Sequence, residues 1–351
     1  MRIASIKLYR LSQPLSEPYH LSYRSIFDLD SLWAKVELEN GSMGWGESTP
    51  LPGYSESDMN AVWTVTNNLA GQWIGKSAGE ILGRPLREQD GFLFTALWTA
   101  LEEATGSIPL LEGLVPLVGL VQERKGEPTL SALQGVRKLG YKVFKVKAGY
   151  LSVDDDIKRL TLLQNELLHD ELIRVDANQA LSEVSAAKIL EVCILGKIEL
   201  FEQPLPIDDW AGCARLARIS AVPIMLDESI TDLDTLEKTA EIGAARIVKL
   251  KWMKQGGRSY LLAMVKRAQE LNLRVVLGNG VAGAVNNRQE ALFWLDQLRD
   301  IQLAGEMNGY LKIKNRSALL GFENGCLSVA SKPAAEINPE VYQVTETKFY
   351  S

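Results

Sequence analysis

The chain has 351 residues, enough for two domains. Apolar residues make up 46% and charged residues 23%, the mix of a globular protein that buries a core. Lys and Arg total 38 against 44 Asp and Glu, so the net charge is −6, which argues against nucleic acid and anionic membrane surfaces as partners.

Residues 1–50 read as a strand meander. Segments 2–11, 18–26 and 32–39 alternate apolar with polar residues and are rich in β-branched and aromatic side chains. Asn40–Gly41 supplies a hairpin turn into the GWGE strand at 44–47. Segments 56–75 and 91–105 carry apolar residues at helical spacing. Together these predict an N-terminal α+β capping domain over 1–114. Lys7 and Arg10 interrupt the N-terminus, so no secretory signal is expected. The longest apolar stretch, 110–121, contains Glu112 and is too short to span a bilayer.

From about 115 the pattern changes. Eight short apolar runs follow: PLVGL (116–120), VFKVKA (143–148), LIRVDAN (172–178), IELFEQP (198–204), PIMLDES (223–229), ARIVKLK (245–251), LRVVLGN (273–279) and DIQLAGE (300–306). Amphipathic segments separate them. Strands alternating with helices imply parallel pairing through right-handed crossovers. The reading is an α/β fold, a TIM-barrel-like (β/α)8 barrel over 115–309, with an open doubly wound sheet as the alternative. The tail, 310–351, breaks the alternation. It carries a turn at Glu323–Asn324–Gly325 and a strand-like run at 341–350, and is expected to return to the capping domain and complete it.

Cys193, Cys213 and Cys326 are odd in number and far apart, and no CxxC is present. A disulfide framework or thiolate zinc site is not expected, and a cytoplasmic location fits. His20 and His169 are the only histidines, which leaves little for histidine-based catalysis or ligation. Each has an ordinary reading, His20 as a packing residue beside a strand and His169 at a helix end.

The chemistry lies in the strand ends. Lys147, Asp176, Glu202, Asp227 and Lys251 close five successive strands, at spacings of 29, 26, 25 and 24 residues. In a parallel barrel that edge is where active sites are built. Three carboxylates converging there repel unless a cation compensates, and all-oxygen ligation suits Mg²⁺, with Mn²⁺ as the second choice. Lysines flanking such a cation have depressed pKa values and can act as bases. A metal on a substrate carboxylate stabilises the enediolate that follows loss of the adjacent proton. The residues therefore point to abstraction of a proton α to a carboxylate.

The motifs KVK (145–147), DAN (176–178), EQP (202–204), DES (227–229) and KLKWMKQGG (249–257) resemble those of the enolase superfamily, in its muconate lactonizing enzyme subgroup. The resemblance implies Asp176, Glu202 and Asp227 as Mg²⁺ ligands and Lys147 and Lys251 as the acid/base pair, a pairing established for that superfamily. It also implies supporting roles for Lys145, Asn178 and Glu228. A mandelate racemase-like site would need a histidine after the seventh strand, where this chain has LGNGVAG.

Gly278, Gly280 and Gly283 form a GxGxxG, read as room for backbone beside substrate rather than a dinucleotide fingerprint. Asn279 is a candidate substrate contact. So are Arg24 and Tyr54, in cap loops expected to close over the mouth. The eighth strand ends in Glu306–Met307–Asn308, where the subgroup's dipeptide epimerases resemble one another in an Asp-x-Asp that holds a substrate ammonium. Glu306 is kept as a cation-binding candidate. The mismatch makes o-succinylbenzoate synthase the first expectation, with N-acylamino acid or dipeptide racemisation and muconate-type cycloisomerisation as rivals. A nicotinamide oxidoreductase and a non-catalytic barrel are the readings from other classes. The expected partner is a small carboxylate substrate, and homo-oligomerisation stays open.

Overall fold

In a computed structural model, which describes every residue except 21–24, 52–54, 85–89, 123–127, 279–280, 317–318 and 331–336, the chain opens with three antiparallel strands. These are β1 (Ile3–His20), β2 (Ser25–Leu38) and β3 (Met43–Ser48). Segment 18–26 is not a separate strand, as its pattern suggested. Tyr19 pairs with Ile26 and His20 with Ser25, so it forms the far end of one long hairpin. The register slips between Pro14 and Tyr19, where Pro14 and Pro18 have no N–H to donate. Gly41 turns β2 into β3 at φ +82°. Helices at Met59–Trp73 and Thr95–Ala104 cover the sheet. A Cβ on Gly46 would lie 2.0 Å from the Ala96 carbonyl oxygen, so the GWGE glycine is what lets the second helix seat directly on β3.

β4 (Gly113–Pro116) precedes the parallel series of β5 (Val118–Val121), β6 (Val143–Lys147), β7 (Leu172–Asp176), β8 (Ile198–Glu202), β9 (Ile224–Leu226), β10 (Ile247–Lys251) and β11 (Arg274–Gly278). They lie in chain order in one curled sheet, with helices between them. The eighth predicted strand does not form a ladder. Instead Gly305 bridges Leu117, Val118 N–H donates to Gly305 at 3.0 Å, and Glu306 N–H donates to Leu277 at 3.0 Å. These bonds join the two edges of the sheet with one or two residues each. The first barrel run is also split. Pro116 ends β4, which pairs with a later hairpin, and β5 starts only at Val118.

After the barrel, β12 (Leu320–Glu323) and β13 (Cys326–Val329) form that hairpin, turning at Asn324 and Gly325, both at positive φ. Then β14 (Gln343–Tyr350) pairs antiparallel with β1, giving the first sheet the order β14-β1-β2-β3. Among the described residues, no helix is long and apolar enough to cross a membrane.

The first sheet meets the barrel through a buried polar seam. Glu47 on β3 accepts N–H bonds from Gly283 at 2.9 Å and Asn286 at 3.0 Å, at the start of the helix Ala284–Phe293. Burial raises the Glu47 pKa, a rise that these donors only partly offset. Next to it Glu103 accepts from Trp45 N–H at 2.9 Å and pairs with Arg288 at 2.6 Å, both side chains almost fully buried. A buried pair is worth little against an apolar replacement, but breaking it strands a charge. Arg288→Met should therefore cost about 3–5 kcal/mol in urea unfolding. Adding Glu103→Leu should return most of that loss; a single variant as stable as the parent would refute the seam's role.

Candidate active site

Parallel register brings the strand-end charges together. Lys147 lies opposite Asp176, and Asp176 opposite Glu202. Val248 pairs with Leu226, so the next residues, Lys249 and Asp227, are neighbours too. Side chains alternate along a strand, so Lys145 and Lys147 share a face, as do Lys249 and Lys251. All five predicted residues converge at one end of the curled sheet.

Asp176, Glu202 and Asp227 are buried. Lys145 Nζ lies 2.9 Å from Asp176, 2.7 Å from Glu202 and 3.2 Å from Glu306. Lys249 Nζ bonds Glu202, lies 2.8 Å from Glu306 and 3.6 Å from Asp227. Lys147 donates to Asp176 at 2.7 Å and to Asn178. Lys251 donates to Asp227 at 2.8 Å. Asn178 donates on to Glu228 at 3.1 Å. The two outer amines differ in access: the Lys147 side chain is 42% exposed and that of Lys251 8%.

Electrostatics follow from this packing. Burial raises all four carboxylate pKa values, but the surrounding lysines, with Arg174 at Glu306, reverse the effect at Asp176, Asp227 and Glu306, which end well below the usual carboxylate range. Glu202 goes the other way, pushed up to about 7 by burial first and then by Asp176. Lys145 is desolvated too, yet Asp176, Glu202 and Glu306 carry its pKa well above the ordinary lysine value. Lys254, just beyond β10, is lowered to about 8, mainly by burial.

Lys249 and Arg174 were not singled out in the sequence. Glu306 was, as a substrate contact, but it sits between Lys145, Lys249 and Arg174, the last at 3.4 Å. A carboxylate so compensated has little charge left for a substrate ammonium. The glycine motif has a packing reason as well. A Cβ on Gly278 would fall 2.6 Å from the Lys249 chain, and one on Gly283 would fall 2.3 Å from Glu47. Gly280, Asn279, Arg24 and Tyr54 lie outside the described residues, as does the His20 side chain.

Gln203 was missed too. Its amide donates to Ser229 at 2.9 Å and accepts from Asp227 N–H at 3.0 Å, tying EQP to DES. Gln203, Asn178 and Gln179 all adopt positive φ just past the strand ends. Such backbone persists where the surroundings over-determine it, commonly at functional sites.

The chemistry of the donor set fits a hard cation, since carboxylates on three adjacent strands are all-oxygen donors. Among the described residues, Glu228 Oε2, a buried oxygen nearby, has no hydrogen-bond partner, while Asp227 Oδ1 lies 2.6 Å from Lys251 Nζ. As placed, no three acids among the described residues converge closely enough to hold an ion, because the Lys145 and Lys249 ammoniums stand between them.

The family described as Enolase C-terminal domain-like matches residues 129–333, more than half of the chain. The chain is similar to N-succinyl-L-Arg/Lys racemase of Bacillus cereus, at 26% identity over 98% of this chain and 97% of the relative. The crystal structure of that racemase superposes with a TM-score of 0.88 over 100% of both chains, at 22% identity. It is also similar to o-succinylbenzoate synthase of Thermosynechococcus vestitus, at 26% identity over 78% of this chain and 83% of that one. A dipeptide epimerase from Cytophaga hutchinsonii, solved with Mg and the dipeptide D-Ala-L-Val, shares the fold at a TM-score of 0.84 and 18% identity, over 99% of this chain and 100% of that one. These relatives differ in reaction, so they support superfamily catalysis without singling out one activity. The chain belongs to the enolase C-terminal domain-like family and is an enzyme of the enolase superfamily.

Proposed function

We propose that the enzyme removes a proton α to a substrate carboxylate, with Lys147 and Lys251 as the acid/base pair and Asp176, Glu202 and Asp227 as ligands of Mg²⁺. The observation that carries this is the placement of two amines at opposite flanks of one buried carboxylate cluster, each already on a cluster member. A divalent cation there would hold the substrate carboxylate and stabilise the charge that develops as the α-proton leaves. For it to enter, the Lys145 and Lys249 ammoniums would draw back toward Glu306, which already accepts from both. Lys147 or Lys251 would take the proton, and the other would return one or oppose charge. Asn178 and Glu228 would orient Lys147, and Gln203 would fix the loop that carries Asp227.

The finer reading is dehydration of the o-succinylbenzoate synthase kind. It is supported by Glu306–Met307–Asn308 in place of an ammonium-binding pair, with Glu306 taken up by internal cations. A second reading, racemisation of an N-acylated amino acid, is favoured by the full-length similarity to the succinyl-amino acid racemase and by an amine on each flank, as inversion at one carbon requires. Incubation in heavy water with Mg²⁺ separates the two by mass: elimination loses water, and racemisation keeps the formula and gains deuterium. The test compounds are the o-succinylbenzoate precursor and a panel of N-acylamino acids and dipeptides.

On the compound turned over, Lys147→Ala and Lys251→Ala should each lower metal-dependent exchange or elimination by about 10²–10⁴-fold, with the fold retained by circular dichroism. Activity near the parent level in both would refute the pair.

Glu202 supplies a pH test. Its folded pKa, about 7, lies above its ordinary 4.5, so the folded protein keeps a proton that the unfolded chain releases. That stability is present below about pH 4.5 and is lost as pH rises through about 7. Asp176, Asp227 and Glu306 shift the opposite way and act only at lower pH. In protein treated with a chelator, Glu202→Gln should flatten the fall in urea midpoint between about pH 5 and 8. Parallel profiles for parent and variant would show that Glu202 is not the titrating group.

A further inference from the structure

Lys312 is a cation near the mouth that the proposed chemistry does not use. It ends a short 3-10 turn, Tyr310–Lys312, six residues beyond Glu306. The following residues are pinned to the outer half of β1: Ile313 bridges Leu15, and Lys314 N–H donates to the Pro14 carbonyl at 2.8 Å. This places the Lys312 ammonium 3.5 Å from the centre of the Tyr19 ring. Both side chains are partly buried and close enough to Lys147 and Lys145 to feel their charges.

The four strand lysines of the site each contact a carboxylate. Lys312 forms no ion pair with any described residue; its partner is Tyr19. Burial lowers the Lys312 pKa, and the neighbouring lysines add to that. The Tyr19 hydroxyl is shifted down, first by Lys312. Lys312 thus stands without a counter-ion among the described residues, against the Tyr19 ring on the exposed Lys147 side of the mouth. Glu306 offers nothing to offset it, since its charge is taken up below. A desolvated ammonium beside an aromatic face is suited to an anion that arrives with the ligand.

We propose that Lys312, steadied by Tyr19, is a specificity-determining residue that binds a second carboxylate of the substrate, distal to the one whose α-proton is removed. The inference rests on reading this mouth as the active site. It selects dianionic substrates over neutral-tailed or cationic ones.

The test uses the full chain with Mg²⁺ and two probes, N-succinyl-L-norleucine and N-isocaproyl-L-norleucine. They match in shape and differ in whether the acyl group ends in a carboxylate or a branched hydrocarbon. Calorimetric titration should show the parent protein binding the succinyl compound about tenfold or more tightly, the scale of a charge-assisted bond. Lys312→Met should bring the two affinities close to equal by weakening the succinyl compound alone, and Lys312→Arg should keep the preference. If Lys312→Met does not fold by circular dichroism, Lys312→Gln carries the same expectation. Equal affinities in the parent, no binding of either compound, or a preference that survives loss of the ammonium would overturn the inference. Deuterium exchange at the α-carbon is followed in parallel. Its absence in the parent alongside a Lys312-dependent preference would count against the proton-abstraction reading and leave the anion site standing. Exchange with a preference indifferent to Lys312 would do the reverse.

Discussion

Carboxylates buried at a strand end need positive charge close by, and much of this barrel is arranged to supply it. Moving an ion from water into a protein interior costs several kcal/mol even after relaxation, and a buried pair recovers this only with good geometry and further hydrogen bonds. Asp176, Glu202, Asp227 and Glu306 are compensated by Lys145, Lys147, Lys249, Lys251 and Arg174, with most contacts near 3 Å. The network ties β6, β7, β8 and β10 to the residues that close the ring near Gly305. Its energetics explain why Glu202 departs from its neighbours. Burial raises its pKa first and Asp176 adds to that, so it is the weakest acid of the four carboxylates.

The same demand fixes local sequence. Gly278 carries no side chain because the Lys249 chain passes where a Cβ would be. Gly283 does the same for Glu47, which joins the first sheet to the helix after β11. A glycine pattern that looks like a nucleotide loop thus serves two buried ionic groups, one in the site and one in the seam. The seam and the site thus meet within five residues of the chain, at Gly278 and Gly283.

Much of this was legible in the sequence, and the gaps have identifiable causes. The strand-end residues could be found because the βα repeat is regular and parallel register puts equivalent positions side by side. Lys249 carried a usable signal, two residues before Lys251 and therefore on the same face, but KLK inside an apolar run reads as a strand with one functional end. Arg174 was hidden for the same reason. The role of Glu306 could not be read, because it depends on which side chains cross the barrel. The long β1–β2 hairpin was misjudged as separate strands because two prolines break the alternation without ending the pairing. The eighth strand failed as a ladder because the closing residues touch each neighbour only once or twice, a difference that apolar periodicity does not register.

Access separates the two halves of the mouth. Lys251 is shut in, with Trp252 and Met253 buried directly after it and its backbone N–H donating to Gln255 at 2.6 Å. Lys147 is open to solvent on the far side, where Tyr19 and Lys312 come down from β1 and the segment after the ring closure. Solvent therefore reaches the Lys147 flank of the carboxylate cluster and is largely kept from the Lys251 flank. The sheet produces this difference by setting Lys251 against the buried Trp252 and Met253 and leaving Lys147 partly exposed at the end of β6.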